Sequence, residues 1–148
     1  MTAPGDFSSG DVLTAADMND LPAGNVYLDQ TAAADATIGT TTVVLRTTSV
    51  TLESGRRYKI SINGFLLSFS TTLTAITRIM DGATRLALHQ FTGNSTYSEI
   101  GLSMFAVIDG DGSSHTINLD STASTGTFTF SKAFNRPAVL LIEDIGPS

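Results

Sequence analysis

The residues best suited to chemistry cluster at Asp109–Ser113, where aspartates alternate with glycines, and at His115 just beyond. Carboxylates at this spacing are suited to a hard cation, but the further oxygen ligands and closing glutamate of a calcium-binding EF-hand loop are missing. A turn between two strands accounts for the same residues, because Asp and Gly tolerate left-handed backbone geometry. We therefore predict a turn and no metal site, and cation binding by Asp109 and Asp111 stays the open alternative.

The other reactive side chains form no catalytic pattern. The chain has no cysteine, and of its two histidines His89 lies between Ala87 and Phe91 on one face of a strand, which predicts a satisfied structural or interface histidine. There is no GxSxG nucleophile elbow. Glu143 and Asp144 are adjacent in a strand and point to opposite faces, so they cannot act as an acid/base pair. We predict no catalytic residue, no cofactor and no enzymatic activity.

Aromatic side chains could instead bind a carbohydrate by stacking on a sugar ring. Tryptophan is absent and there are three tyrosines, of which Tyr97 follows the turn-forming residues 93–96. Tyr97 is therefore the ligand-loop candidate, although an ordinary loop residue is the favoured interpretation. A binding module for a host cell-surface glycan stays open as an alternative function.

The composition favours a component of a larger assembly. The 148 residues include 8 Lys and Arg against 14 Asp and Glu, a net charge of −6, which makes the chain a poor ligand for nucleic acid. No apolar run is long enough to cross a membrane. Charged residues make up 15% of the chain, against about 25% in an average soluble domain. A surface this poor in charge suits a protein that is packed against others.

The elements that must position these residues are strands. From residue 25 onward, runs rich in Thr, Val, Ile and Phe alternate with turns of Gly, Asp, Asn and Ser, which predicts an all-β fold, a jelly-roll-like antiparallel β-sandwich. A change of phase at Gly64 predicts a bulge or bend, and the alternation in His115–Asp120 predicts that Ile117 and Leu119 point inward. The predicted strands are Val26–Thr31, Ala36–Thr48, Arg57–Ser70, Ala75–Met80, Thr84–Thr92, Ser98–Ile108, His115–Asp120, Thr127–Phe130 and Ala138–Ile145.

Two of these strands are apolar on both faces, in Ile100–Ile108 and Val139–Ile142. A strand of a two-layer sandwich meets the core on one face, so the second apolar face needs another cover. We predict that other copies of the chain supply it, in a homotrimer, and cover within the chain is the alternative. The subunit-interface candidates are Phe105, Val107, Leu140 and Ile142.

Residues 1–24 form a separate segment. Thr14 is suited to cap a short helix that ends before Pro22, and Leu13 and Met18 have the spacing of a hydrophobic staple. A helix of about two turns is marginal alone in water, so its apolar residues need a surface to pack on. That surface belongs to another protein or to the body of this chain. The apolar residues of this docking segment are Phe7, Val12, Leu13, Met18 and Leu21.

Several stretches carry a resemblance to a known group of proteins. Phe7–Asn19 follows the pattern F-x-x-G-x-V-L-T-A-A-x-h-N, which opens many tail and fibre proteins of tailed bacteriophages. Leu52–Ile60, with its Gly-Arg-Arg-Tyr centre, His115–Leu119, and the ending Arg136–Pro147 are similar to strands of minor tail proteins. The chain thus resembles the small β-sandwich minor tail and virion surface proteins of phages that infect actinobacteria.

The resemblance implies a virion structural protein, made in the host cytoplasm and located in the phage particle. Its segment 1–24 would dock on other tail or capsid proteins and its sandwich domain, residues 25–148, would project outward as a homotrimer in contact with the host surface. A capsid decoration or head-fibre protein that stabilises the shell is the first alternative. In both cases the protein acts by binding alone.

Overall fold

The computed structural model describes residues 22–30, 34–69, 71–93, 98–131 and 139–148. Every element in these ranges is a β-strand, and the all-β expectation is confirmed. The predicted N-terminal helix lies outside the described residues. The strands are β1 Gly24–Asp29, β2 Ala36–Ile38, β3 Val43–Thr51, β4 Arg56–Phe69, β5 Leu73–Asp81, β6 Thr84–Gly93, β7 Ser98–Asp109, β8 Ser114–Ala123, β9 Phe128–Ser131 and β10 Val139–Pro147.

The strands form two antiparallel sheets. Sheet A has six strands in the order β1-β10-β4-β9-β2, with β7 along the other edge of β4. Sheet B has four strands in the order β3-β8-β5-β6. The eight strands from β2 through β9 pair in a nested order: β2 pairs with β9, β3 with β8, β4 with β7 and β5 with β6. These eight strands therefore wind as one folded-over hairpin whose successive pairs alternate between the sheets.

The predicted strand Ala36–Thr48 is two strands in the structure. β2 belongs to sheet A and β3 to sheet B, so the chain changes sheet between them. Gly39 begins this passage and its carbonyl accepts a hydrogen bond from the Ala123 amide at 2.8 Å. A single hydrogen-bonded ladder cannot continue from one sheet into another, so the predicted strand Ala36–Thr48 is divided. Strand propensity alone did not show the position of this break.

The core lies between the inner faces of the sheets. β5 and β8 show the expected alternation, with Ile79, Ile117 and Leu119 fully buried. The predicted bulge in β4 is confirmed, since the register with β7 shifts between Ile62 and Phe65. The shift keeps Ile62 and Leu67 on the core side although their positions in the chain differ by an odd number, which would place them on opposite faces of a regular strand.

Leu52 closes one end of this core. β3 continues through Thr51, after which Leu52 leaves the ladder and is completely buried. Its amide donates to the carbonyl of Ser113 at 3.2 Å, and its carbonyl accepts from the Gly112 amide at 2.8 Å. This end of the sandwich therefore joins the turn after β3 to the loop between β7 and β8.

Candidate functional site

The outer face of sheet A carries a row of side chains that crosses four strands. Phe105 of β7 lies opposite Ser61 of β4, Ser61 opposite Leu141 of β10, and Leu141 opposite Leu28 of β1. Adjacent strands lie about 4.8 Å apart, so the row spans roughly 14 Å. We call these four residues, together with Val107, the sheet A row.

The apolar members of the sheet A row are open to solvent. Phe105 is 63% exposed, the highest value among the exposed large hydrophobic residues that the structure describes. Val107 and Leu28 are also exposed, and Leu141 is half-buried between them. Scattered exposed hydrophobic residues are ordinary on protein surfaces, whereas large contiguous apolar patches mark interaction sites.

Ser61 lies in the middle of the row and is only 5% exposed, although it faces away from the core. Its hydroxyl group is buried and has no hydrogen-bond partner among the described residues. The side chains of Phe105 and Leu141 flank it on the adjacent strands. A buried hydroxyl without a partner costs about 1 to 3 kcal/mol in proteins, so the position of Ser61 is unfavourable for a serine.

Charged pairs border the row and balance one another. Lys59 lies 3.7 Å from Glu143, and Arg57 lies 2.7 Å from Asp109. The hydrogen bond from the Arg57 guanidinium lowers the pKa of the Asp109 carboxyl, and the same bond raises the pKa of Arg57. The row's border thus has no net charge on a chain whose net charge is −6, so a second copy can approach it without strong repulsion.

Two of the four interface candidates require correction. Phe105 and Val107 face solvent, whereas Leu140 and Ile142 are 0% exposed and lie in the core of this chain. The outward residue of this stretch is Leu141, on the opposite face of β10. Leu140 and Ile142 are therefore not available to another subunit.

A buried ion pair lies on the inward face of β10. Asp144 shares the inward face with Leu140 and Ile142 and is only 4% exposed. Its Oδ2 accepts hydrogen bonds from Nε and Nη2 of Arg56 at 2.8 and 2.7 Å, and its Oδ1 accepts from the Gly146 amide at 2.9 Å. A charged residue usually marks the solvent side of a strand, and here its partner lies on another strand and allows it to be buried.

The edge position of β7 adds to the accessibility of the sheet A row. Among the described strands, β7 pairs with β4 alone, so its other edge faces away from sheet A. Sheet edges of this kind can associate with further strands unless they are protected. Phe105 and Val107 therefore lie on a strand that is open both on its outer face and along one edge.

The two aspartates of the Asp-Gly loop between β7 and β8 have different partners. Asp109 pairs with Arg57, while Asp111 accepts from Ser113 and contacts His115, so the two aspartates diverge. The Ser113 hydroxyl donates to Asp111 and not to the imidazole, which differs from the relay that activates a serine nucleophile. Within the described residues, no group of His, Asp and Glu side chains is arranged to hold a metal ion.

His89 departs from the expectation of a satisfied histidine. Its ring packs edge-on against Phe91, with ring centroids 4.4 Å apart, and its buried Nδ1 has no hydrogen-bond partner among the described residues. The described contact of the ring is thus with an aromatic neighbour on β6, and the interface role of His89 stays a prediction.

Several expectations fall on residues that the structure does not describe. The ligand-loop candidate Tyr97 lies outside the described residues. So do all of the docking-segment residues, Phe7, Val12, Leu13, Met18 and Leu21. β1 begins at Gly24, so the strand includes the last residue of the expected segment 1–24.

Sequence reasoning missed three contributors to these surfaces. Leu28 and Ser61 belong to the sheet A row through strand register, and Asp81 lies against His115 at 2.7 Å. Each is far along the chain from its partners, and no local pattern encodes which strands pair. The apolar run at Val139–Ile142 did signal β10, but it could not distinguish the inward residues from the outward ones.

Comparison with known proteins yields no assignment. No family model matches the chain, and no curated protein is significantly similar to it. Within the described part of the chain there is no helix of the length and apolar character that spans a membrane.

Proposed function

We propose that this chain is a structural protein of a bacteriophage particle that acts by binding and not by catalysis. Copies associate through the sheet A row as a homotrimer, and the N-terminal segment attaches the trimer to other virion proteins. The motifs at Phe7–Asn19, Leu52–Ile60 and Arg136–Pro147 motivate the particle assignment. The observation that carries the self-association is the alignment of the exposed Phe105 and Leu28 with the half-buried Leu141 across the outer face of sheet A.

The winding of the strands supports a jelly-roll assignment for the sandwich. Strands β2 to β9 pair in a nested order and alternate between two four-strand groups, β2-β9-β4-β7 and β3-β8-β5-β6. A double-sheet jelly roll of eight strands is built in this way and occurs in viral capsid domains. A fold hosts many functions, so this agreement supports the proposal without carrying it.

The contacts of the loop between β7 and β8 support a non-catalytic role. Both ring nitrogens of His115 contact carboxylates, Asp81 at 2.7 Å and Asp111 at 3.1 Å. A general base needs a free ring nitrogen within reach of a substrate proton. The described residues that come nearest to a catalytic group are thus engaged with one another.

The test of self-association is the mass of the full chain at micromolar concentration, measured by native mass spectrometry. We expect a species three times the 15.5 kDa of one chain. Replacing Phe105 with Ser removes an aromatic side chain worth about 2 kcal/mol per buried copy, so each contact weakens roughly 30-fold. The matched control is Leu88→Ser on sheet B, where Leu88 is 44% exposed, and the trimer should persist.

The outcomes of this experiment separate the parts of the proposal. A monomer at micromolar concentration would contradict self-association. A trimer that survives Phe105→Ser but not Leu88→Ser would show that the interface lies on sheet B and not on sheet A.

The attachment is tested in particles. Deleting residues 1–21 leaves β1 intact, because the strand begins at Gly24. We expect the shortened chain to fold and to be absent from purified virions, and its incorporation at the normal level would refute the docking role. Electron cryo-microscopy of the particle would show whether the chain lies on the tail or on the capsid. A position on the capsid would favour the alternative role of a decoration protein.

A further inference from the structure

His115 lies at the junction of three chain segments. It is the second residue of β8, its Nδ1 is 2.7 Å from Oδ2 of Asp81 at the end of β5, and its Nε2 is 3.1 Å from Oδ1 of Asp111 in the β7–β8 loop. The side chain is 13% exposed. The imidazole therefore connects the loop that leaves sheet A with two strands of sheet B.

The partners determine the protonation of the ring. An ionised carboxylate only accepts hydrogen bonds, so each ring nitrogen must donate for both contacts to form. A ring that donates from both nitrogens is the charged imidazolium. The neutral ring has a single N–H, and its other nitrogen would turn a lone pair toward a carboxylate oxygen.

The carboxylates of Asp111 and Asp81 differ in the hydrogen bonds that they keep when the His115 ring loses a proton. Oδ1 of Asp111 also accepts hydrogen bonds from the amide and the hydroxyl of Ser113, at 2.8 and 2.6 Å, and this side chain is 63% exposed. Asp81 is more buried and His115 is its one hydrogen-bonded side chain among the described residues. The neutral ring is therefore expected to keep its proton toward Asp81 and to release Asp111.

Other charged groups around the ring do not change this outcome. Val50, opposite His115 on β3, is uncharged. The adjoining turn carries Glu53, whose amide donates to the Tyr58 hydroxyl at 3.0 Å, and Arg56, which pairs with Asp144. Arg85 lies opposite Met80 on β6. The described ion pairs of His115 are those with Asp81 and Asp111.

We propose that His115 is a proton-operated latch: the charged ring ties the β7–β8 loop to sheet B by bridging Asp81 and Asp111, and the neutral ring frees Asp111. The release is local, because Gly110 and Gly112 still donate to the carbonyls of Arg56 and Leu52 at 2.7 and 2.8 Å. The latch is independent of the proposed function.

The direction of the pH dependence follows from the two partners. The hydrogen bond to Asp81 is the main cause that raises the pKa of His115 above 6.5, against the opposing effect of burial. Bonds from the side chain and the backbone of Ser113 are the largest causes that lower the pKa of Asp111 to about 2. The latch is therefore closed from mildly acidic pH up to the raised pKa of His115 and opens as the pH rises through it. Its contribution to stability is complete below 6.5 and is lost above that pKa.

The experiment is an NMR titration of the full chain with ¹³C-labelled histidine and ¹⁵N-labelled backbone, in which His89 is the only other histidine. We expect the His115 midpoint to lie above 6.5. The hydrogen-exchange rate of the Ser113 amide, corrected for the intrinsic rate, should rise about tenfold as the pH increases through this midpoint. A tenfold change corresponds to the loss of about one hydrogen bond. Asp111→Asn should abolish the acceleration.

Asp109→Asn is the matched control, because it makes the same change in the same loop at a residue that pairs with Arg57 and not with His115. It should leave both the midpoint and the acceleration unchanged. The proposal is overturned if Ser113 exchange shows no step at the His115 midpoint, or if the step survives in Asp111→Asn. A chain that is monomeric in native mass spectrometry would not affect this result, so the two proposals fail separately.

Discussion

The outer face of each sheet carries a row of four side chains with apolar residues at both ends, and the two rows differ in their central residues. On sheet A the row reads Phe105, Ser61, Leu141 and Leu28 across four strands. On sheet B a row of equal length reads Leu88, Arg78, Asp120 and Val44. In both rows the outer positions are exposed apolar side chains. The centre of the sheet B row is an ion pair, with Nε of Arg78 2.6 Å from Oδ1 of Asp120.

The two rows differ in the polar groups at their centres. Arg78 also donates to the Thr42 hydroxyl at 3.1 Å, and on the same sheet the Thr122 hydroxyl donates to the Thr40 carbonyl at 3.2 Å. The polar groups at the centre of the sheet B row thus have partners and separate Leu88 from Val44. On sheet A, Leu141 lies beside Leu28, and the hydroxyl of Ser61, which lies between Leu141 and Phe105, has no partner among the described residues.

The largest effect is expected from breaking the centre of the sheet B row. Asp120→Ala leaves the half-buried guanidinium of Arg78 without its carboxylate, and we expect the free energy of unfolding to fall by about 2 to 3 kcal/mol. Urea denaturation measures this loss. The control Leu88→Ser, in the same row, should change stability little. A loss of trimer without a loss of stability in Asp120→Ala would show that sheet B, too, faces a partner.

The second prediction concerns the unsatisfied centre of the sheet A row. Ser61→Ala removes a buried hydroxyl that has no described partner, so we expect the chain to become more stable by about 1 kcal/mol. The matched control is Ser103→Ala, because the Ser103 hydroxyl donates to Oδ1 of Asn63 at 2.5 Å and its loss should not stabilise the chain. If Ser61→Ala instead weakens the trimer in native mass spectrometry, then the partner supplies the missing hydrogen bond.

The smallest effect is expected at the border of the sheet A row. Lys59→Gln removes an exposed pair with Glu143, and stability should change by no more than about 0.5 kcal/mol. The same change makes the border of the row more acidic, so association should become weaker and more dependent on salt. Sedimentation velocity at low and high ionic strength measures the effect. If the association constant of Lys59→Gln equals that of the unmodified chain at both ionic strengths, the interface does not lie near Lys59.

Local pattern was sufficient for most of the strands but not for every face. Alternation identified the buried side of β8 through Ile117 and Leu119, and the change of phase at Gly64 located the bulge in β4. It failed at Val139–Ile142, where apolar residues occupy both faces and Leu140 and Ile142 proved to be in the core. The inward face there also holds Asp144, which is paired with Arg56, a residue 88 positions away. No local signal carries that information.

The amino-acid sequence by itself determined most of the strand-forming segments and the turns, because periodicity and turn residues act over a few neighbours. Only the tertiary structure decided which strands lie side by side. That choice aligned Phe105 with Leu141 and Leu28, and it brought Asp81 and Asp111 to the two nitrogens of His115. The physical reason is that register between distant strands depends on the packing of the whole core, so a row across a sheet exists only when the sheet does.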